Sequence, residues 1–344
     1  MKSRLLALIS AVIGLALFVY VIRQTGLEEI GGRLRQLGFG FVLILAISAF
    51  RYLTRSLSWL RCIPPEDRHI GFWTLWRARL AGEAIGDLTA GPLVAEPLKA
   101  LVLGDKLSLA ARVSSLTVEN ITYTVSSCVM VMAGAIALLT SFGLAGSLRV
   151  AMLASLAAVV LVIVASVIVI GRRWKLGSGI ATLLARTLIR DKSKLANIES
   201  KIVHLAELEE YIFDFFAKRP ADFFLVILCQ MSFHFAGVVE IFVTMKLIGA
   251  NLSFATAFLM ESVNRALNIA FVFVPAMVGV DELGTRELAK VLGFAGTDGV
   301  ALAVIRKIRM FCWIGCGLVF LLANQKAKSK KQKSEKPFDQ HDLA

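Results

Sequence analysis

The sequence predicts an all-α polytopic membrane protein with six transmembrane helices and two re-entrant, broken-helix hairpins in an inverted repeat. Of its 344 residues, 57% are hydrophobic, and the mean hydropathy is +0.73. Soluble domains are roughly 45 to 50% apolar, so an ordinary soluble fold is excluded. Two further observations support the prediction: long apolar stretches recur along the chain, and basic residues collect in alternate connections.

Six apolar stretches are long enough to cross about 30 Å of hydrocarbon at about 1.5 Å per helical residue. The predicted spans are residues 5–22, 39–60, 113–139, 148–170, 221–248 and 300–324. The first span follows Lys2 and Arg4 and is longer than the apolar run of a typical signal peptide. It also lacks a small-residue cleavage site, so we expect it to remain in the protein.

The distribution of basic residues predicts the orientation. Residues 171–220 hold ten Lys and Arg, and the tail after Asn324 holds six Lys, whereas the connection 141–147 holds none. By the positive-inside rule, we expect both termini on the cytoplasmic side of a bacterial inner (plasma) membrane. The formal net charge of +13 comes without aromatic-interleaved basic motifs, so nucleic-acid binding is not expected.

Two moderately apolar segments, 72–104 and 254–292, are interrupted by charges, and neither half of each can cross the bilayer. The predicted breaks are Gly91 and Pro92 in the first hairpin, and Pro275 and Gly279 in the second. Freed backbone groups at such breaks are tolerated only against protein or a wet cavity. We therefore predict two re-entrant hairpins.

Each half of the chain then contains two spans, a hairpin and a third span, so the second half is inverted relative to the first. The predicted domains are a first repeat at 1–140, a second at 141–324, a cytoplasmic amphipathic insert at 171–220 within it, and a disordered Lys-rich tail at 325–344. Hairpins entering from opposite leaflets can meet near the bilayer midplane, where transporters commonly bind substrate. The helical apolar stripe of the insert predicts a surface helix on anionic lipid headgroups.

Charged residues in the hairpins and the neighbouring spans are the candidate substrate contacts. The candidates are Glu83, Asp87, Glu96, Lys99, Glu119, Glu261, Arg265, Glu282, Glu287, Arg306 and Arg309. Burying an unpaired charge in a bilayer costs about 3 kcal/mol or more. The candidates in the first half of the chain are mainly acidic, whereas those in the second half include three arginines. We therefore expect ion pairs between the two halves.

The alternative is that these charges form purely structural ion pairs. In that case Glu83, Asp87 and Glu96 would pair with Arg77, Arg79 or Lys99, and the three arginines with Glu261, Glu119 or Glu287. A guanidinium can instead clamp a phosphate through two hydrogen bonds, and we expect one of the three arginines to do so. We expect Arg51 and Arg55 to snorkel to the membrane boundary, and Lys307 to lie at the interface.

The sequence shows no signature of a cofactor or metal site. Its five cysteines lie in or beside spans, without the companions of a metal site, and no P-loop, dinucleotide fingerprint or Ser-His-Asp set is found. His234, within a span, is expected to form a structural hydrogen bond. We expect no cofactor and no catalytic residue.

The hairpins resemble the transmembrane region of lysylphosphatidylglycerol synthases, a flippase-like family that includes hopanoid-associated proteins. Residues 82–100 resemble its first hairpin, in which Pro and small residues precede a Glu and a basic residue, here Glu96 and Lys99. Residues 275–287, followed by Arg306 and Arg309, resemble its Pro-Gly-Gly-x-Gly-x-x-Glu hairpin and basic last span. The family's glycine pairs are replaced by Val94-Ala95 and Ala276-Met277.

The resemblance implies a protein that binds and translocates a lipid with an anionic or polar headgroup between leaflets. Candidate lipids are aminoacylated phosphatidylglycerol, a hopanoid precursor and a polyprenyl phosphate. The alternative is a non-transporting scaffold or accessory subunit that recruits a lipid-modifying or glycosylating enzyme through 171–220 and the tail. The chain lacks the cytoplasmic aminoacyl-transfer domain of full-length synthases, so we do not expect it to be an enzyme.

Overall fold

A computed structural model describes residues 19–20, 23, 27–89, 91–141, 146–188, 192–272 and 274–334. This part of the chain forms twelve α-helices and no strands, which confirms the all-α class. The helices are α1 (Leu27–Leu37), α2 (Gly40–Cys62), α3 (Phe72–Leu88), α4 (Pro92–Leu103), α5 (Leu109–Ser141), α6 (Gly146–Gly171), α7 (Leu176–Leu188), α8 (Lys192–Lys218), α9 (Pro220–Leu247), α10 (Phe254–Ala270), α11 (Val280–Val291) and α12 (Gly296–Ser334).

Three helices, α2, α5 and α9, are long and apolar enough to cross a membrane, and they match three of the predicted spans. A fourth candidate joins Leu156–Gly171 of α6 to Leu176–Thr187 of α7, with a bend of 84° between them. The described chain therefore holds three to four candidate spans. The predicted span 300–324 lies within α12 but is not among them, and the predicted span 5–22 falls almost entirely outside the described residues.

The first hairpin consists of α3 and α4, which pack closely on either side of the predicted break. Pro92 begins α4, a position where its missing N–H and fixed φ are favourable. Gly91 has a positive φ of 60°, and its N–H donates to Gly86 O at 2.9 Å. A Cβ at Gly86 would lie 2.7 Å from Ala95 Cβ, so glycine allows the two helices to approach.

The second hairpin consists of α10 and α11, joined by a longer break that contains the 3₁₀ turn Pro275–Met277. Ala276 and Met277 have positive φ values of 52° and 51°, which cost non-glycine residues about 1 to 2 kcal/mol each. Gly279 then precedes α11, and its N–H donates to Glu282 Oε2 at 2.7 Å. That carboxylate caps the helix.

The two hairpins enter the bundle from opposite ends of α2. Near its C-terminus, Trp59 belongs to an apolar cluster with Leu75 and Leu103, at the open end of the first hairpin. Near its N-terminus, Ile44 belongs to another cluster with Ala257, at the open end of the second. Fifteen helical residues separate Ile44 from Trp59, which is about 22 Å along the axis.

The tips of the hairpins meet between these ends. A Cβ built on Gly91 would lie 3.0 Å from Val272 O. The break of the first hairpin is therefore in contact with the start of the break of the second. The two broken segments therefore touch each other.

The insert 171–220 is formed by the end of α6, α7 and α8. Phe215 of α8 is 1% exposed and packs against Cys62, Val118 and Val226. This part of the α8 apolar stripe therefore contacts protein, and the expectation that the stripe faces lipid is wrong there. The reason is that α8 lies against the ends of α2, α5 and α9.

Candidate functional site

A cavity of about 570 Å³ lies where the hairpin tips meet. Both breaks contribute to its wall, through Gly91 and Pro92 on one side and Ala276 and Met277 on the other. Its charged lining consists of Arg51, Arg55, Glu83, Asp87, Glu96, Lys99, Glu240, Glu261, Arg265, Asp281, Arg306, Lys307 and Arg309. Seven cations and six carboxylates thus surround a space of the size that accommodates a small ligand.

Most of the predicted contact residues line this cavity. They are Glu83, Asp87, Glu96, Lys99, Glu261, Arg265, Arg306 and Arg309. Glu119 and Glu282 lie fully buried behind the wall. Glu287 lies elsewhere, because it is exposed on α11 and pairs with Lys290 at 2.8 Å. The predicted break residues Pro275 and Gly279 flank the wall without contributing to it.

One ion network connects the first hairpin to α2 and α5. Arg55 donates two hydrogen bonds of 2.8 Å to the two oxygens of Glu119. Arg79, fully buried, lies 2.9 Å from Glu83 and 3.2 Å from Glu119. Glu119 therefore binds two guanidinium groups at once.

Lys99 completes this network on the cavity side. Its Nζ lies 3.2 Å from Glu83 Oε1 and 2.8 Å from Glu96 Oε1. The structure thus supports the alternative in which Glu83 and Glu96 pair with basic residues of their own hairpin. Pairing of these carboxylates with the arginines of the second half was a wrong prediction, because α3 and α4 already bring Arg79 and Lys99 to them.

A second network crosses between the halves. Arg51 Nη1 donates to Glu240 Oε2 at 2.7 Å, and its Nη2 lies 3.7 Å from Glu261. Glu240 also accepts from Arg309, while Arg265 Nε donates to Glu261 Oε1 at 2.8 Å. Pairing between the halves therefore exists, but α2 supplies the cation and α9 and α10 supply the carboxylates.

Two expectations about individual cations are corrected by this geometry. Arg51 and Arg55 do not snorkel to the boundary, since each side chain is 12% exposed and bound to a carboxylate. Lys307 does not lie at the interface either: it is buried, 2.9 Å from Glu282 Oε1, and donates to Met277 O at 3.3 Å. Carboxylates on neighbouring helices hold all three inside.

Arg306 differs from the other cavity cations in how little it is bonded. Its Nη2 donates to Thr285 Oγ1 at 3.0 Å, and its nearest carboxylate in the described chain, Asp281, lies 3.6 Å away. Its Nε and Nη1 are buried and have no hydrogen-bond partner among the described residues. Two nitrogens of this guanidinium are therefore unsatisfied by the described residues.

Asp87 is the corresponding exception among the carboxylates. It is half-buried on the cavity wall, and within the described ranges no residue forms an ion pair or hydrogen bond with it. Among the described residues, the cavity thus combines the unpaired carboxylate of Asp87 with the guanidinium of Arg306, which has two unbonded nitrogens where Arg51 and Arg309 have one each.

Aromatic rings line the inner wall beside the cations. The Arg55 guanidinium lies 3.9 Å from the centre of the Tyr123 ring, a cation–π contact, and the Tyr123 hydroxyl accepts from Arg265 at 3.0 Å. His234 Nε2 lies 3.0 Å from Ser126 Oγ, which confirms the predicted structural hydrogen bond.

Sequence reasoning missed several residues of the site. Arg51, Arg55, Glu240 and Asp281 line the cavity but were not among the candidates. A signal existed for Glu240, an isolated carboxylate in an apolar span, because charges inside a membrane are functional candidates by default. In the described residues no group of His, Cys, Asp and Glu is arranged to hold a metal ion.

Apolar helices of spanning length, two broken helical hairpins and a charged internal cavity define this chain as an integral membrane protein. The family model described as the lysylphosphatidylglycerol synthase TM region matches residues 7–317. The chain belongs to this family, which confirms the resemblance carried by the hairpins. Among curated proteins and among solved structures, none matches the chain significantly.

Proposed function

We propose that this protein binds the headgroup of a lipid with an anionic or polar headgroup in the cavity and translocates that lipid between leaflets. Membership of the lysylphosphatidylglycerol synthase TM region family supports a role related to lipid modification. The cavity formed by both hairpin breaks supports the more specific assignment. Broken helices at such a site are typical of transporters.

The proposal includes the membrane arrangement. The protein would have six spans and two re-entrant hairpins related as an inverted repeat, in a bacterial inner membrane with both termini cytoplasmic. Entry of the hairpins from opposite ends of α2 supports this arrangement. It would place their joined tips near the bilayer midplane, equally far from both leaflets.

The main support for the proposal is the incomplete hydrogen bonding of the buried Arg306 side chain. A buried guanidinium with two donors unbonded carries an energetic penalty of about 1 to 3 kcal/mol for each unsatisfied group. A phosphate accepts two parallel hydrogen bonds from such a group. A phosphate-bearing headgroup would therefore complete a bonding pattern that the described residues leave open.

The remaining charges would keep the cavity polar without binding the headgroup too tightly. Most cations in it already have carboxylate partners, and among the described residues Arg306 leaves two buried donors unbonded where Arg51 and Arg309 leave one each. Asp87 would bind a hydroxyl or ammonium of the same headgroup. Candidate lipids remain aminoacylated phosphatidylglycerol, a hopanoid precursor and a polyprenyl phosphate.

The test compares two arginines of the same bundle. Arg306→Gln removes the proposed phosphate contact, whereas Arg77→Gln removes an equal charge from the exposed face of α3, outside the cavity. Both variants and the original protein are purified gently for native mass spectrometry of bound lipid. They are then reconstituted in vesicles of native lipid extract that contain fluorescent phospholipid.

We expect Arg306→Gln to lose about ten-fold or more in lipid retention and transport, the effect of about 1.4 kcal/mol. Arg77→Gln should behave as the original protein does. Equal retention in all three proteins would remove Arg306 as the headgroup contact. Retention without any transport by the original protein would overturn translocation and favour a scaffold.

A further inference from the structure

The helix α7 turns sharply away from α6, the helix that precedes it. The axis of Leu176–Thr187 is turned by 84° from that of Leu156–Gly171 in α6. If α6 crosses the bilayer, α7 therefore runs close to the membrane plane. Its position directly after α6 places it at the bilayer surface.

One face of α7 is covered by α8. Ser178 and Ala185 are buried, and Ser178 Oγ donates to Glu209 of α8. The same carboxylate accepts from Gly177 N at 2.7 Å. This side of α7 is thus hydrogen-bonded to and packed against α8.

The opposite face of α7 is apolar and uncovered by the described residues. Leu176, Ile180, Leu183 and Leu184 follow the spacing of a single helical face. Ile180 is 56% exposed and Leu183 is 64% exposed. Val167 and Ile168 at the end of α6 are exposed as well, so exposed apolar residues lie on both helices that meet at this bend.

The polar residues around this face favour a lipid surface as its occupant. Trp174, at the start of α7, is exposed, and tryptophan is enriched at membrane interfaces. Arg173 is held by Glu210 at 2.7 Å and by Asp214 at 2.8 Å. By contrast, Arg172 and Arg186 have no carboxylate partner among the described residues and are exposed.

Asp214 stays available to hold Arg173 at neutral pH. The hydrogen bond from Lys218 keeps the pKa of Asp214 below its usual value. Arg173 is therefore held by α8, whereas Arg172 and Arg186 are exposed next to α7 and can reach lipid phosphates.

We propose that α7 is an in-plane membrane anchor. Its apolar face, consisting of Leu176, Ile180, Leu183 and Leu184, inserts among the acyl chains of the adjacent leaflet. Arg172 and Arg186 bind the phosphates of anionic lipids beside it. Such helices lie about 5 to 10 Å below the headgroup boundary and respond to the anionic lipid content.

This anchor would act on the bundle through α8. The Tyr211 hydroxyl of α8 donates to Cys62 O, at the end of α2, at 3.0 Å. Leu75 and Leu103 of the first hairpin pack at that same end of α2. Anchoring α7 therefore fixes the part of the bundle where the first hairpin enters. The inference goes beyond headgroup binding in the cavity and does not depend on Arg306.

The test places a fluorophore on each side of the helix pair. The exposed cysteines are first removed as Cys312→Ala and Cys316→Ala, since the other three are buried. An environment-sensitive dye is then attached after Leu183→Cys on α7, or after Lys201→Cys on the exposed side of α8. Both proteins are placed in nanodiscs containing lipids with a nitroxide near the glycerol backbone.

We expect the dye at position 183 to emit at shorter wavelength and to lose about half of its intensity to the nitroxide lipids, because it lies within the acyl region. The dye at position 201 should show neither change. If the dye at position 183 emits at the long wavelength typical of water and is not quenched by the nitroxide lipids, the anchor is overturned. Short-wavelength emission without lipid quenching would also overturn it, since protein, such as a second copy, would then cover the face.

The role of the basic residues is tested with Arg172→Gln and Arg186→Gln combined. In nanodiscs of phosphatidylcholine alone and with added phosphatidylglycerol, quenching at position 183 should rise with phosphatidylglycerol in the parent protein. The double variant should lose that rise. An unchanged response would contradict binding of lipid phosphates by these two side chains.

Discussion

The two hairpins have the same outline but differ in how they are stabilised. In the first, Gly91 supplies the positive φ at the break, and Arg79 and Lys99 pair with the nearby carboxylates. In the second, Ala276 and Met277 adopt positive φ without being glycine, and Arg306 of α12, which donates to Thr285 of this hairpin, keeps two donors unbonded. The first hairpin thus has a glycine at its break and pairs Glu83 and Glu96 with its own cations, whereas the second has non-glycine residues at positive φ and lies against the incompletely bonded Arg306.

This difference shows where a ligand would have its largest effect. A headgroup phosphate adds nothing to a network that is already paired. Beside the second hairpin, a phosphate would instead satisfy Arg306 next to a strained backbone. Lys307 connects these features, because it contacts both Glu282 and Met277 O.

The largest effect is expected at the centre of the first network. Glu119→Gln leaves Arg55 and Arg79 without their shared carboxylate charge in a buried site. Removing one partner of a buried ion pair costs about 3 to 5 kcal/mol. The free energy of unfolding, measured by denaturant titration in detergent, should fall by about this amount.

The matched control for Glu119 is Glu287→Gln on the second hairpin. Its exposed pair with Lys290 should contribute less than about 1 kcal/mol. Equal losses in the two variants would mean that the first network is not the stabilising element that its burial indicates.

A smaller effect is expected where the helices of the first hairpin touch. Gly86→Ala places a Cβ 2.9 Å from Gly91 O and 2.7 Å from Ala95 Cβ. Forcing atoms into such a contact costs about 1 to 3 kcal/mol, which the same titration measures. Gly32→Ala on α1, where nothing lies within 4 Å, should instead be neutral or slightly stabilising. A neutral Gly86→Ala would show that the hairpin is looser than its geometry indicates.

The smallest effect has the opposite sign and lies in the second hairpin. Ala276→Gly removes the Cβ penalty of a positive φ, so it should stabilise the protein by up to about 1 kcal/mol after the entropy cost of glycine. Ala266→Gly, inside α10, should destabilise by about 0.5 to 1 kcal/mol. If both variants destabilise alike in unfolding titrations, Ala276 is not strained.

Ion pairs between residues close in sequence can be predicted from the sequence more readily than ion pairs between residues far apart in sequence. Arg79 with Glu83 and Arg265 with Glu261 are one helical turn apart, so helical spacing alone proposes them. Arg51 and Glu240 are separated by 189 positions, and only the packing of α2 against α9 brings them together. Local patterns do not specify that packing.

The hairpins were predictable for a similar reason. Gly91 and Pro92 mark the first break directly, because each residue type favours a turn or a helix start. At the second break, Pro275 and Gly279 marked the position, but Ala276 and Met277 do not reveal a positive φ. Their conformation follows from the surrounding contacts, such as that of Lys307 with Met277 O.

The central claim is that the two hairpins enter from opposite ends of α2 and that their tips contact each other. Gly91→Cys combined with Val272→Cys, in a background with Cys312→Ala and Cys316→Ala, tests it directly through oxidative cross-linking in native membranes. The contact between these positions predicts rapid disulfide formation, with none when Gly91→Cys is combined with a cysteine at exposed Val203. Absence of the Gly91–Val272 cross-link, together with free labelling of both cysteines from one side of the membrane, would contradict the account.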